Sequence, residues 1–305
     1  MARVSLGVTR SLGTRNRISM AHAEGAPQNS TDSSGRRVVE TQDWLAFMNA
    51  HTSAPASSED DRPVLPAHTC VVTSAPDVSE LSASNGGRAP SPEAYGEWLE
   101  SMASTVVSRL PEDGVAVFYQ TDVRVVYNDD SFSYVDKSYH VIAGARAAGG
   151  KVVWHRIALK SAPGTPSTGM NPMYTHVVCC SGPRGAPSFH QRPNGLGGPA
   201  QMPDVLTRGP CEWKRGTDPV VAYYICAYIA AQAAPCATTR TIVDPFCGTG
   251  CILACANLVG LDALGNDYSP KRCKVARTLV ATRTSREGGG VDVTLSREEP
   301  RNLIV

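Results

Sequence analysis

Short apolar runs alternate with amphipathic stretches along most of the chain after residue 62. The runs at 70–74 and 115–119 predict buried parallel strands. The segment 92–110 between them predicts a helix, because Ser91 is a suitable N-cap and Pro92 suits the first helical position. Strands that alternate with helices indicate an α/β fold, with a mostly parallel sheet and helices on both faces.

The second half of the chain continues this pattern with one exception. Two longer strand-like runs, 151–160 and 173–181, are joined by a loop rich in Pro, Gly and Ser, which predicts an antiparallel hairpin. An irregular segment at 182–216 follows, and residues 218–233 then predict a helix with an apolar stripe. A strand beginning at Thr241 leads into a glycine-rich turn. We therefore expect one antiparallel strand in the sheet.

Charge is distributed unevenly along the chain. The formal net charge is +1, but residues 1–37 hold six arginines and two acidic residues, which leaves +4 on this segment and −3 on the rest. A folded body of that balance has no global basic field for nucleic acid, so such a substrate needs a local patch, the basic tail or a partner. No run of about 18 apolar residues is present, so we expect no membrane span.

Residues 1–61 are predicted to form an N-terminal extension that is largely disordered, with one short amphipathic helix at 38–48. Residues 1–23 contain four arginines and no acidic residue. That composition fits a mitochondrial targeting peptide and a plain disordered extension equally well. We expect an intracellular protein, mitochondrial under the first reading and otherwise cytoplasmic or nuclear. Removing residues 1–37 is expected to leave stability unchanged.

The ten cysteines are placed more like core residues than like a disulfide framework. Most lie in apolar strand-like or helix-like segments, where cysteine acts as a small buried hydrophobe in a reducing compartment. Cys247, Cys251 and Cys255 share a helical face, but they lack the paired short spacings of zinc sites. His155 and His176 lie within the predicted hairpin, and we interpret them as hydrogen-bonded structural histidines. We predict no metal site.

The most informative segment is Asp-Pro-Phe-Cys-Gly-Thr-Gly at 244–250, which leaves a predicted strand and enters a predicted helix. Glycines at such a junction allow backbone amides to approach a ligand, and a helix N-terminus favours anionic groups. Asp267 ends the next predicted strand, where a carboxylate can accept hydrogen bonds from two ribose hydroxyls. The pattern predicts a nucleoside-containing cofactor.

This segment resembles the first motif of class I methyltransferases, especially those that methylate exocyclic amines of nucleic-acid bases. The resemblance implies S-adenosylmethionine as cofactor. Asp244 and the backbone of 248–250 would surround its methionine part, Asp267 would hold the ribose, and Phe246 and Tyr268 would contact adenine. The implied cofactor-binding residues are Asp244, Pro245, Phe246, Cys247, Gly248, Thr249, Gly250, Asp267 and Tyr268.

The position of the motif indicates a circular permutation. It begins at residue 244 of 305, so too little chain follows to complete a seven-stranded sheet. The arrangement resembles the permuted amino-methyltransferases of the DNA N4-cytosine and N6-adenine type. We predict a permuted, Rossmann-like, seven-stranded, mostly parallel sheet in a domain spanning 62–305. Its parts are a catalytic half at 62–181, the irregular loop at 182–216 and a cofactor-binding half at 217–305.

The catalytic motif of that family has its counterpart in Ser74-Ala75-Pro76-Asp77. Ser74 and Pro76 fit the family pattern, whereas Ala75 and Asp77 depart from it. Asp77 stands where relatives carry an aromatic residue that stacks on a flipped base. It is interpreted either as a general base or hydrogen-bond acceptor for the methyl acceptor, or as a loop residue that caps its own turn.

We therefore expect an S-adenosylmethionine-dependent methyltransferase that acts on nitrogen in a nucleic-acid base, with RNA preferred because the segment 182–216 leaves little room for a base-reading domain. The basic residues of that segment would contact the nucleic-acid backbone: Arg184, Arg192, Arg208, Lys214 and Arg215. The alternatives are a protein or small-molecule methyltransferase and an inactive, cofactor-binding assembly protein. Sequence does not set the oligomeric state.

Overall fold

The computed structural model describes residues 35–53, 62–84, 87–126, 131–166, 172–186, 189, 202–209, 211, 216–232, 239–286 and 290–297. The targeting segment predicted at 1–23 lies outside these residues. So do three of the basic residues that we expected to contact nucleic acid, namely Arg192, Lys214 and Arg215.

The strands within the described part of the chain are β1 (Arg37–Glu40), β2 (Thr69–Thr73), β3 (Val115–Gln120), β4 (Val123–Val126), β5 (Phe132–Val135), β6 (Lys151–Leu159), β7 (Tyr174–Ser181), β8 (Val205–Thr207), β9 (Thr241–Asp244), β10 (Asp262–Asn266), β11 (Leu279–Ser285) and β12 (Val291–Arg297). The helices are α1 (Trp44–Ala50), α2 (Val78–Ser84), α3 (Pro92–Ser108), α4 (Lys137–Ala147), α5 (Pro219–Ala231), α6 (Cys251–Leu258) and α7 (Pro270–Ala276).

The central sheet has eight strands in the order β1-β10-β9-β2-β3-β7-β6-β8. Only β7 runs antiparallel to its neighbours β3 and β6, and the other pairings are parallel. The predicted mostly parallel sheet with one antiparallel hairpin strand is confirmed. The strand count is eight rather than seven, because β1 and the short β8 add to the two edges, whereas the last strand, β12, lies in a separate sheet.

The permutation is visible in the centre of the sheet. Strand β9, which precedes the glycine-rich turn, lies between β10 and β2. Thr69 of β2 pairs in parallel register with Thr241 of β9, although the two are far apart along the chain. Because neighbouring parallel strands end at the same edge, this pairing brings the Ser74–Asp77 segment next to the glycine-rich turn.

Helices cover both faces of the sheet, as predicted, and each face has its own apolar core. Helices α1, α3 and α4 pack on one face over side chains that include Val71 and Phe118. Helices α5, α6 and α7 pack on the other face over side chains that include Cys70 and Val117. The alternation of adjacent residues between the two cores follows from the period of two along a strand.

The folded domain begins earlier than the predicted boundary at Arg62. Residues Arg37–Glu40 form β1 and pair with β10, and α1 follows directly, so the prediction of a largely disordered extension over 1–61 is wrong for this stretch. The Arg37 guanidinium donates to Asn257 Oδ1 at 2.7 Å and to the carbonyl of Ala276 at 2.9 Å. A four-residue strand is too short to show its period in sequence.

Two hairpins lie outside the central sheet. Residues Phe132–Val135 form β5, which pairs with β4. The final strand β12 pairs with β11 in a separate two-stranded sheet and does not extend the central one. The described helices include none that is long and apolar enough to cross a membrane.

Candidate active site

A cavity of about 650 Å³ opens at the carboxyl ends of β1, β2, β9 and β10. Its volume lies in the usual range for small-molecule and cofactor sites. Of the twelve predicted site residues, ten line it: Ser74, Pro76, Asp77, Pro245, Phe246, Cys247, Gly248, Thr249, Asp267 and Tyr268. Asp244 and Gly250 are buried beneath the lining. The structure thus brings the two predicted motifs into one cavity.

Asp244 ends β9 and is 1% exposed. Its Oδ1 atom accepts hydrogen bonds from Thr73 Oγ1 at 2.7 Å and from the Phe246 amide at 3.2 Å. Burial raises the pKa of this carboxyl to about 7, and the nearby Asp267 adds to the rise, although the two hydrogen bonds oppose it. The turn is therefore built over a carboxyl group that is expensive to ionise.

The two glycines of the turn serve different structural purposes. Both have positive φ, 53° at Gly248 and 89° at Gly250. A Cβ at Gly250 would lie 2.7 Å from the Cα of Ala276, so this glycine permits α6 and α7 to approach. A Cβ at Gly248 would meet nothing within 4 Å, because it would point into open space. Gly248 thus leaves room for a ligand, and Gly250 serves packing.

Asp267 follows β10 and orders the opposite wall of the cavity. Its carboxylate accepts hydrogen bonds from the amides of Gly248 at 3.1 Å and Ser269 at 2.8 Å. Arg272 lies 3.7 Å from the same carboxylate and donates to Glu80 Oε1 at 2.8 Å. Burial lowers the pKa of Arg272, but Glu80 and Asp267 outweigh this and raise it. Arg272 therefore links the cofactor motif to helix α2.

An aromatic wall forms another part of the lining. The ring of Phe246 lies 5.5 Å from that of Trp44 and 6.1 Å from that of Trp98, between ring centroids. Trp44 and Trp98 themselves meet edge to face at 6.5 Å. Tyr268 also lines the cavity and is 72% exposed, so its ring can close over a bound planar group.

Asp77 lies at the acceptor side of the cavity, after β2. Its carboxylate forms a short ion pair with the ammonium of Lys137, which is 2% exposed. Burial lowers the pKa of Lys137, yet Tyr95 and Asp77 outweigh it and the pKa is raised. Tyr95 donates its hydroxyl to the carbonyl of Pro76 at 2.9 Å. Asp77 is therefore held in place by a buried cation.

Of the basic residues predicted within 182–216 to contact nucleic acid, Arg184 and Arg208 belong to the described part of the chain. Arg208 is nearly buried: it donates to Cys211 Sγ at 2.8 Å and lies 3.9 Å from Asp218, the N-cap of α5. Arg184 donates to the carbonyl of Ser108 at 3.1 Å. Arg208 is therefore engaged inside the domain, where its positive charge lies near the buried carboxylate of Asp218.

Several residues of the site escaped the sequence analysis. Trp44 lies in a segment that we treated as an extension, and Trp98 looked like an ordinary helix position. Arg272 and Lys137 lie in no motif. Two signals were nevertheless present in the sequence: tryptophan is rare in this chain, and an arginine follows shortly after Asp267. Nine cysteines are described and free, and eight of them are buried, as the core interpretation predicted.

Comparison with known proteins agrees with this geometry at the level of fold. No protein-family model matches the chain, and no curated protein is significantly similar in sequence. A protein of Thermus thermophilus assigned as a DNA modification methylase has 18% identity and a TM-score of 0.53 over 79% of this chain and 92% of its own. The same protein complexed with S-adenosyl-L-methionine matches with a TM-score of 0.53.

A second solved protein, the cytosine-N4-specific PvuII DNA methyltransferase, has 12% identity and a TM-score of 0.55 over 80% of this chain and 86% of its own. The chain therefore has the permuted α/β fold of the amino-methyltransferases, which is the fold that the resemblance of the glycine-rich motif implied.

Proposed function

We propose that the protein is an S-adenosylmethionine-dependent methyltransferase that acts on a nitrogen of a nucleic-acid base. The observation that carries the proposal is the shared cavity, in which the Gly248 turn and Asp267 face the Ser74–Asp77 segment. The solved relatives support it, because one is complexed with S-adenosyl-L-methionine and one is a DNA methyltransferase.

The residues present fit this cofactor. Gly248 leaves space where any side chain would project, and Asp267 offers a carboxylate beside it for ribose hydroxyls. Phe246 and Tyr268 supply rings for adenine. The Asp244 carboxyl lies beneath the turn with a pKa raised to about 7, so above that pH its negative charge attracts a cationic ligand. S-adenosylmethionine supplies an electrophilic methyl group. The protein's task is alignment with the acceptor.

Asp77 is proposed to hold the acceptor amine. Its ion pair with Lys137 fixes the carboxylate in place, and a carboxylate accepts strong hydrogen bonds. This arrangement favours an orienting role over proton abstraction, because Asp77 Oδ1 is already engaged by the Lys137 ammonium. Ser74 and Pro76 shape the same wall.

DNA and RNA both carry bases with exocyclic amines. The sequence favoured RNA, because the segment 182–216 is short. The relatives are named for DNA, and they give the preference for RNA no support. An exocyclic base amine is the acceptor that both readings share. The proposed acceptor is therefore the base amine, and a methyl-transfer assay distinguishes DNA from RNA as the substrate.

The direct test is methyl transfer from labelled S-adenosylmethionine to duplex DNA, single-stranded DNA, transfer and ribosomal RNA, protein and metabolite fractions. We expect label in nucleic acid, recovered as an N-methylated base after digestion and mass spectrometry. Label confined to protein or metabolites would contradict the base assignment. Tight cofactor binding without transfer to any fraction would favour the assembly-protein alternative.

Replacement of Asp77 tests the acceptor side. Asp77→Asn retains an accepting oxygen and should lower turnover less than Asp77→Ala, for which we expect a loss of about 10²-fold, the scale of a misplaced reacting group. Both variants leave the Lys137 ammonium unpaired, so melting is measured alongside, and Lys137→Met is added to each to remove the buried charge. A double variant that recovers both stability and turnover would make Asp77 a purely structural residue.

A further inference from the structure

A cluster of metal-type ligands lies outside the cavity, where β3 ends and α4 begins. Asp122, Asp136 and His176 each offer one ligand atom, and these atoms all lie within 4.8 Å of one another. Asp122 is 2% exposed, whereas Asp136 is exposed. The three residues come from three different elements of the chain, so the fold brings them together and no sequence motif does.

The charges of this cluster are incompletely balanced by the described residues around it. Asp122 accepts from the Lys137 amide at 2.9 Å, from Tyr134 at 3.3 Å and from His176 Nε2 at 3.1 Å. The ammonium of Lys137 points elsewhere, into its ion pair with Asp77. Two carboxylates face a single imidazole, so the cluster has an excess of acidic groups that a dication would neutralise, and the buried Asp122 has most need of it.

A hydrogen bond with His155 orients the imidazole ring of His176. His155 Nε2 lies 2.9 Å from His176 Nδ1, on the side of the ring opposite Asp122. A histidine that binds a metal through one ring nitrogen usually donates its other N–H to a partner that fixes the ring. His155 is that partner here. The carboxylate of Asp136 is fixed as well, because it caps α4 by accepting from the Tyr139 amide at 2.9 Å.

A fourth polar group on the same face lacks a partner. Gln120 is 0% exposed, and neither its side-chain oxygen nor its nitrogen has a hydrogen-bond partner among the described residues. Gln120 stands directly opposite His176 in the β3–β7 register, so the two side chains share one face of the sheet. Asp122 follows two residues later on the same side. A buried unpaired amide points to an ion or water held there.

We propose that Asp122, Asp136 and His176 bind one divalent first-row transition-metal ion, with the Gln120 amide oxygen bound to the ion or to its water. One nitrogen and several oxygens form a ligand set suited to Mn²⁺, Fe²⁺ or Zn²⁺. On binding, the ion takes the place of the proton that His176 Nε2 donates to Asp122, this proton is released to solvent, and the ion joins the end of β3, β7 and the start of α4. Because Lys137 follows Asp136 directly, the ion also fixes the residue that holds Asp77. The proposal is independent of the methyl acceptor.

The experiment measures metal binding by the purified, tag-free, chelator-treated protein. Mn²⁺ titration is followed by electron paramagnetic resonance, and Co²⁺ by its visible spectrum. We expect one equivalent to bind without a thiolate charge-transfer band, and Mn²⁺ at 100 times its Kd to raise the Tm by about 5–10 °C. Asp136→Asn retains the helix cap but should weaken binding about 10–100-fold.

Two further variants make the result decisive. His155→Gln should weaken binding by about tenfold, because it disturbs only the ring orientation of His176. His68→Asn disrupts another histidine–carboxylate pair, with Asp113, and should leave binding unchanged. A wild-type protein that binds neither ion, or Mn²⁺ binding that survives Asp136→Asn and His176→Asn at full affinity, overturns the proposal and leaves a hydrogen-bonded cluster without an ion.

Discussion

Replacing Asp244 by Asn should stabilise the protein and weaken cofactor binding at the same time. Both hydrogen bonds to this side chain, from Thr73 and from the Phe246 amide, end on Oδ1. The carbonyl oxygen of Asn can accept both of them. What the substitution removes is the ionisable group, whose pKa in the native state is raised by burial to about 7.

The sign of the effect follows from proton binding. The native state keeps the Asp244 proton up to about pH 7, whereas the unfolded chain loses it near its ordinary value of 3.8. Between these values the unfolded state binds fewer protons, so stability is lost as the pH rises through that window. The full loss is about 4 kcal/mol at about 1.4 kcal/mol per pKa unit. About 2–3 kcal/mol of it falls between pH 5 and pH 8.

The assay is urea unfolding of wild type and Asp244→Asn at pH 5, 6, 7 and 8. The stability advantage of the variant should grow by about 2–3 kcal/mol from pH 5 to pH 8. Asp204→Asn, at a side chain that is 95% exposed, is the control and should give a nearly constant difference. A pH-independent difference for Asp244→Asn would refute the reasoning.

Cofactor binding completes this prediction. Asp244→Asn removes the charge beneath the turn and should weaken S-adenosylmethionine binding about 10–100-fold, the scale of 1.5–3 kcal/mol for a charged partner. A gain in stability with a loss of affinity is expected where a site holds a group that folding alone would not favour. Calorimetry at pH 8 measures it. Unchanged affinity would make Asp244 a structural residue only.

Three other predictions concern the turn and the chain start. Asp267→Ala should weaken S-adenosylmethionine binding by about 1.5–3 kcal/mol in calorimetry, and unchanged affinity would exclude the ribose role. Gly250→Val should lower the Tm strongly, because its Cβ would lie 2.7 Å from a Cα of α7. Gly248→Ala should cost about 1–2 kcal/mol of stability and mainly reduce cofactor affinity. Equal melting temperatures of the two variants would contradict this difference. Deleting residues 1–37 should lower the Tm, contrary to the sequence expectation, because Arg37 anchors α6 and α7; a deletion that stops before Arg37 is the control.

The central elements and the cofactor motif were predictable because their signals are local. Five-residue apolar runs such as β2, the N-caps Ser91 and Asp218, and the glycine-rich turn each depend on neighbours in sequence. The late position of that turn also indicated the permutation, because the strands that complete the sheet must then precede the turn in sequence. The sequence therefore determined the fold class and the two motifs that meet in the cavity.

Other features depend on which distant residues meet, and only the tertiary structure decided them. Nothing near Arg37 shows that β1 pairs with β10, because a short edge strand is stabilised by its partner rather than by its own pattern. Likewise Lys137 is an ordinary lysine in sequence, and it becomes a buried cation only because Asp77 and Tyr95 surround it. Burial and charge pairing are properties of the packed chain, and they turn the predicted motifs into a site.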